Sequence, residues 1–170
     1  MKQTTLCVLL AASFLLAGAA AGQELAVATL DGFQEVPALI SPGSGVFAAT
    51  IDEDETEIQY SMEYRGLRGD ALQSHIHIGQ EGVNGSIVVF LCSNLGNGPA
   101  GTPACPLREG EVSGTWTLDS VVFVNAQGID DTPGALRRVI KAMRNGAAYV
   151  NLHSARFPGG ELRGQVEVVE

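Results

Sequence analysis

The sequence predicts an all-β fold, a sandwich or barrel of about eight strands with one amphipathic helix near residues 133–145. Runs of alternating apolar and polar residues recur along the chain with Gly, Pro and Asn between them, and only one stretch carries apolar residues at helical spacing. The chain has 170 residues, which after loss of the leader described next fits one domain able to bury its own core.

Lys2, the apolar stretch Leu6 to Leu16 and the small-residue tract Ala17 to Gly22 follow the order of a secretory signal peptide, so residues 1–22 are expected to be removed near Ala21 or Gly22. The apolar run is shorter than the roughly 20 residues a bilayer span needs, and no second one follows. Cys7 lies inside the signal, so no cysteine opens the mature chain as a lipid anchor. The expectation is a secreted or periplasmic protein, soluble and free of the membrane after cleavage.

Eight strand-like runs follow: Leu25–Leu30, Val46–Ile51, Glu57–Tyr64, Gln73–Ile78, Ile87–Leu91, Gly114–Val124, Ala148–His153 and Leu162–Val169. The helix is read from Leu136, Val139, Ile140 and Met143, with Thr132 as N-cap, Pro133 at its first position and Gly146 beyond its end. Its basic residues Arg137, Arg138, Lys141 and Arg144 fall mainly on the opposite face, as on an ordinary solvated helix. Trp116 reads as a core or barrel-end anchor. Most glycines, Gly79, Gly82 and Gly85 among them, read as turn residues; none leads from a strand into a helix with the Lys-Ser or Lys-Thr of a phosphate loop.

Without the signal the chain has 9 basic and 19 acidic residues, a formal charge of −10, which argues against nucleic acid or an anionic membrane as partner. The one dense acidic run, Asp52 to Glu55, reads as a solvated turn ahead of a strand. Only Cys92 and Cys105 remain after cleavage. They bracket a Gly-, Pro- and Asn-rich loop, and in an oxidising compartment a disulfide is the natural inference.

The chemistry lies in the three histidines. In Gln73-Ser74-His75-Ile76-His77-Ile78 the isoleucines claim the core and alternation sends His75 and His77 to the outer face, roughly 6.5–7 Å apart at Cα, close enough to reach one ion. In Tyr149-Val150-Asn151-Leu152-His153 the same rule turns Val150 and Leu152 inward and His153 outward. Three imidazoles suit copper, zinc, nickel or iron. The competing reading is three exposed histidines on strands that never meet, which alternation cannot decide.

Leu30-Asp31-Gly32-Phe33-Gln34-Glu35-Val36-Pro37-Ala38, then His75-Ile76-His77-Ile78-Gly79 with Gly82 and Gly85, then Asn151-Leu152-His153-Ser154 and Pro158 through Gln165 together resemble the CHRD domain, named after chordin. The resemblance spans residues 23–170 and implies an extracellular or periplasmic β-domain. A second resemblance, carried by fewer residues, is to the copper–zinc superoxide dismutase fold, a Greek-key barrel with copper held outside it by a His-x-His strand and a late histidine. His75, His77 and His153 look like those three ligands. The chain has no further histidine to bridge two metals or build a zinc site, and no arginine matches the anion-steering one with certainty; Arg156 and Arg163 lie nearest the motifs. These resemblances imply a Greek-key architecture, superoxide dismutase-like or immunoglobulin-like.

Glu35 and Pro37 read as a turn and hydrogen-bond device at a strand end, and Glu161 and Arg163 as outward residues engaged in an ion pair or cross-strand contact. No nucleophile motif surrounds the histidines, so hydrolase chemistry is not expected. The expectation is a non-catalytic exported binding module with a copper or zinc ion on His75, His77 and His153. The alternatives are a mononuclear copper superoxide dismutase-like enzyme, and an interaction domain that binds another extracytoplasmic protein without metal.

Overall fold

The computed structural model describes residues 23–169, so the signal-peptide reading of residues 1–22 lies outside the described residues. The strands are β1 (Glu24–Asp31), β2 (Ser44–Ile51), β3 (Ile58–Arg65), β4 (Ala71–Ile78), β5 (Ser86–Ser93), β6 (Gly110–Trp116), β7 (Ala148–Ser154), β8 (Leu162–Gln165) and β9 (Glu167–Val169); the helix is α1 (Ala135–Arg144). They form one antiparallel sheet in the order β5-β4-β7-β8-β1-β2-β3-β6, with β9 alongside β1, and the sheet curls into a nearly closed barrel. Of the sandwich and the barrel, the protein takes the barrel. No helix among the described residues is long and apolar enough to cross a membrane.

Alternation fills the interior as expected. Ala26, Ala28 and Leu30 of β1, Phe47, Ala49 and Ile51 of β2 and Ile58, Tyr60, Met62 and Tyr64 of β3 join one buried cluster. The seam lies between β5 and β6. There the Tyr60 hydroxyl donates to the Leu91 carbonyl at 2.8 Å and Trp116 Nε1 to the Phe90 carbonyl at 2.7 Å, while the two rings stack at 4.3 Å. Trp116 is thus the expected anchor, and it closes what the strands leave open.

Most strand ends shift by one or two residues from the sequence reading, and three elements differ in a way the structure explains. The strand placed at Gly114–Val124 is β6, which begins at Gly110 and ends at Trp116, because Tyr64 pairs with Gly110 and the chain turns out of the sheet where Thr117 N–H meets the Ser120 hydroxyl at 3.2 Å. The last run breaks at Val166, whose side chain enters the core and whose N–H leaves the β1 ladder for the Ala148 carbonyl. The helix starts at Ala135 with Gly134 at its N-cap. Thr132 does not cap it: its hydroxyl donates to Asp130 and accepts from Arg138. The buried face is the expected one, Leu136, Val139, Ile140 and Met143, and three of the basic residues are paired, Arg144 with Glu24 and Glu55, Arg137 with Glu55 and Arg138 with Asp130.

Cys92 and Cys105 form the disulfide, with Cα atoms 5.0 Å apart and a separation of 13 residues. In the chain-entropy account a loop of that length contributes about 3 kcal/mol. A Cys92→Ala/Cys105→Ala variant is therefore expected to lose about that much in urea unfolding. A midpoint unchanged from the parent would show that the loop's hydrogen bonds alone hold it.

Candidate metal centre

β4 lies between β5 and β7, and the register decides what meets on the outer face. His75 pairs with Asn151 on one side and Phe90 on the other, His77 with Tyr149, and Gln73 with His153. His153 is therefore the diagonal neighbour of His75, within reach for imidazole rings. Ser74 and Ile76 point inward, the Ser74 hydroxyl reaching the Asn151 carbonyl and lying beside the Met62 sulfur. The three histidines do face away from the core, as alternation requires, and they do meet. Their ring centroids lie 4.9 Å (His75–His77), 4.7 Å (His75–His153) and 6.5 Å (His77–His153) apart, and one nitrogen from each lies within 4.8 Å of the others.

Facing away from the core does not leave them exposed. His75 is 1 % exposed, His77 and His153 8 % each. Their surroundings come from loops without periodicity: the His77 Nδ1 lies 2.9 Å from the Gly85 carbonyl, and the His153 Nδ1 2.9 Å from the Pro158 carbonyl. Phe90 meets the His75 ring edge-on at 5.0 Å.

These bonds fix the protons. A carbonyl can only accept, so Nδ1 of His77 and of His153 each carries hydrogen and Nε2 of each is a lone pair. The His77 Nε2 lone pair lies 3.0 Å from His75 Nδ1 and accepts a hydrogen bond from its N–H, which leaves His75 Nε2 a lone pair as well. The Nε2 atoms of His75 and His153 are buried without a hydrogen-bond partner. A buried polar atom left so costs about 1–3 kcal/mol, and in a native fold it calls for a reason. Burial is also the main cause that holds the imidazoles neutral, pushing His75 down to about 2 and His77 to about 4 and lowering His153.

Behind the cage stands a column of rings. Tyr149 lies parallel to His77, 2° between planes and 4.7 Å between centroids, and the Arg163 guanidinium sits 3.5 Å from the Tyr149 centroid on β8. Arg163 is 2 % exposed and donates to the Val83 carbonyl at 2.9 Å, to Asn84 Oδ1 at 3.1 Å and to the Gln80 carbonyl at 3.3 Å. The Gly85 N–H donates to the Tyr149 hydroxyl at 3.1 Å, so one residue holds both His77 and Tyr149 in place.

Arg163 points outward as expected, but its partners are carbonyl and amide oxygens. Glu161 parts from it: the buried carboxylate accepts from the Ser41 hydroxyl, the Arg68 N–H and the Ser154 hydroxyl. Glu35 serves as the expected hydrogen-bond device, accepting from Asn151 Nδ2 at 2.6 Å, and burial raises it to about 7 against the lowering effects of Asn151 and the Arg163 charge. It occupies the notch left at Gly160, where a Cβ would stand 2.6 Å from its Oε1. Phe90 and the double role of Gly85 escaped the sequence reading. Tyr149 and Asn151 share the parity of His153, and that signal alone placed them on this face.

Among known families, residues 26–166 match the model of the CHRD domain. No curated protein matches the chain.

Proposed function

The chain belongs to the CHRD domain family, and from that premise we propose that it is an exported, non-catalytic binding module holding one transition-metal ion, copper or zinc, on His75, His77 and His153. The observation that carries this reading is the pair of buried, unpartnered Nε2 lone pairs of His75 and His153 facing a third imidazole. A cation removes the cost of both, whereas a purely structural cluster gives no reason to retain it. The hydrogen bonds that His77 and His153 donate from Nδ1 to the Gly85 and Pro158 carbonyls are the kind that orient metal-ligating histidines. The disulfide accords with an oxidising compartment outside the cytoplasm. Because burial already keeps the rings neutral, protons compete for the lone pairs only well below pH 6.5.

An enzyme of the superoxide dismutase kind needs an open coordination position that its substrate can reach. The unpartnered nitrogens are shut from solvent, which supports a holder of metal over a catalyst. Metal-free protein titrated with copper and with zinc is expected to take up one equivalent, and a His75→Ala/His77→Ala/His153→Ala variant, its fold checked by circular dichroism, none. If the parent binds no more than the variant, the metal reading fails and the domain is one that recognises another extracytoplasmic protein. A superoxide assay on the copper form separates holder from enzyme.

A further inference from the structure

We propose that the three-histidine cage selects monovalent copper over zinc and divalent copper; this rests on the metal reading above. The first argument is ligand number. Among the described residues the cage has three donors of one kind, and no cysteine, aspartate or glutamate joins them. The two buried carboxyl groups nearby are held elsewhere, Glu35 by Asn151 and Glu161 by Ser41, Arg68 and Ser154. Zinc completes a tetrahedron, with water where protein gives only three ligands, and divalent copper prefers a tetragonal set. Here a water-sized molecule cannot touch the Nε2 atoms of His75 or His153. Cuprous ion, with a filled d shell and a low charge, is content with three nitrogens in a plane.

The second argument is charge. All three ligands are neutral imidazoles, so nothing in the cage offsets the ion's charge. The fixed charge that the ring column brings toward the cage is a cation: Arg163 lies 3.5 Å from Tyr149, and Tyr149 4.7 Å from His77. At a distance on the order of 8 Å and an effective dielectric constant of about 20, one further positive charge on the ion weakens binding roughly thirtyfold. The third argument is the wall. The edge of Phe90 stands against His75 and the His77 ring is covered by Tyr149, a dry and polarizable setting that suits a soft ion.

The test uses the mature protein, metal-free and under nitrogen. A cuprous acetonitrile complex is titrated against bicinchoninate as competitor, zinc sulfate against a chromophoric chelator, and cupric sulfate is followed by its electron paramagnetic resonance. Cuprous ion is expected to bind at least a hundredfold more tightly than either divalent ion, with all binding lost in the triple histidine variant. Arg163→Gln is expected to narrow the gap about tenfold or more and Arg163→Lys, which keeps the charge, to preserve most of it. Zinc bound as tightly as cuprous ion, and lost with the histidines, would overturn the selectivity and leave the metal reading standing. No binding of any of the three would overturn both. An unchanged gap in Arg163→Gln would overturn the part assigned to Arg163.

Discussion

Replacing Gly85 with alanine is expected to cost more than about 3 kcal/mol, a large share of the 5–15 kcal/mol that holds a domain of this size. A Cβ at Gly85 would stand 1.6 Å from the Ile78 carbonyl oxygen and 2.6 Å from its carbon, and both are backbone atoms of the β4 end that cannot swing away. Relief requires the loop to lift off the strand. That movement breaks the bond from His77 Nδ1 to the Gly85 carbonyl and the bond from the Gly85 N–H to Tyr149, so the loss of stability and the loss of the ring orientation on which the proposed metal site rests come together. Gly82→Ala provides the control. Gly82 has φ +71° but nothing within 4 Å of the added atom, so its penalty is only the left-handed backbone, about 1 kcal/mol. Urea unfolding of the two variants beside the parent measures the difference, and equal losses would show that the close approach at Gly85 relaxes without consequence.

The metal-free protein is expected to lose stability steeply as pH falls below about 6.5. His75 and His77 bind protons in the unfolded chain with an ordinary pKa of 6.5 but in the fold only near 2 and 4, and His153 is shifted in the same direction. Below 6.5 the unfolded state therefore holds more protons than the fold; His75 and His77 each remove about 1.4 kcal/mol of stability per pH unit, and His153 acts in the same direction. Glu35 works the other way. It keeps its proton in the fold up to about 7 but loses it at 4.5 when unfolded, so between those values it favours the fold more as pH falls. His75 and His77 together outweigh Glu35 by about 1.4 kcal/mol per unit between pH 6.5 and 4.5, and His153 adds to that loss. Thermal or urea unfolding at pH 7 and 5 checks the slope. His153→Gln should make it shallower and Glu35→Gln steeper; a flat profile would mean that the imidazoles are solvated.

The outward parity of the histidines was legible because polar and apolar residues alternate in sequence along His75–Ile78 and Val150–His153. Their meeting depended on β4 lying beside β7, a pairing of strands some 75 residues apart that no local pattern encodes. Their burial was not legible at all. The loop groups that contact them, Gly85 and Pro158, lie in segments with neither a period of two nor of 3.6, where backbone carbonyls do the contacting. β6 was misplaced for a related reason. Gly110-Glu111-Val112-Ser113 offers a single apolar residue, and its pairing with β3 supplies what its own sequence lacks. At the helix, Thr132 and Pro133 gave a proper start signal, but Arg138 and Asp130 engage the threonine hydroxyl and move the cap to Gly134.

The seam between β5 and β6 bears on how such a protein behaves when crowded with copies of itself. A sheet that stops short of closure leaves an edge, and an edge with free carbonyls recruits strands from neighbouring chains. On β5 those acceptors are occupied from within: Val88 by the Val122 N–H, Phe90 by the Trp116 indole and Leu91 by the Tyr60 hydroxyl. Two aromatic side chains and one loop amide thus substitute for a missing ladder, and a foreign strand arriving at that edge meets oxygens with their donors already in place. The same groups that complete the barrel guard it against fibrous self-association.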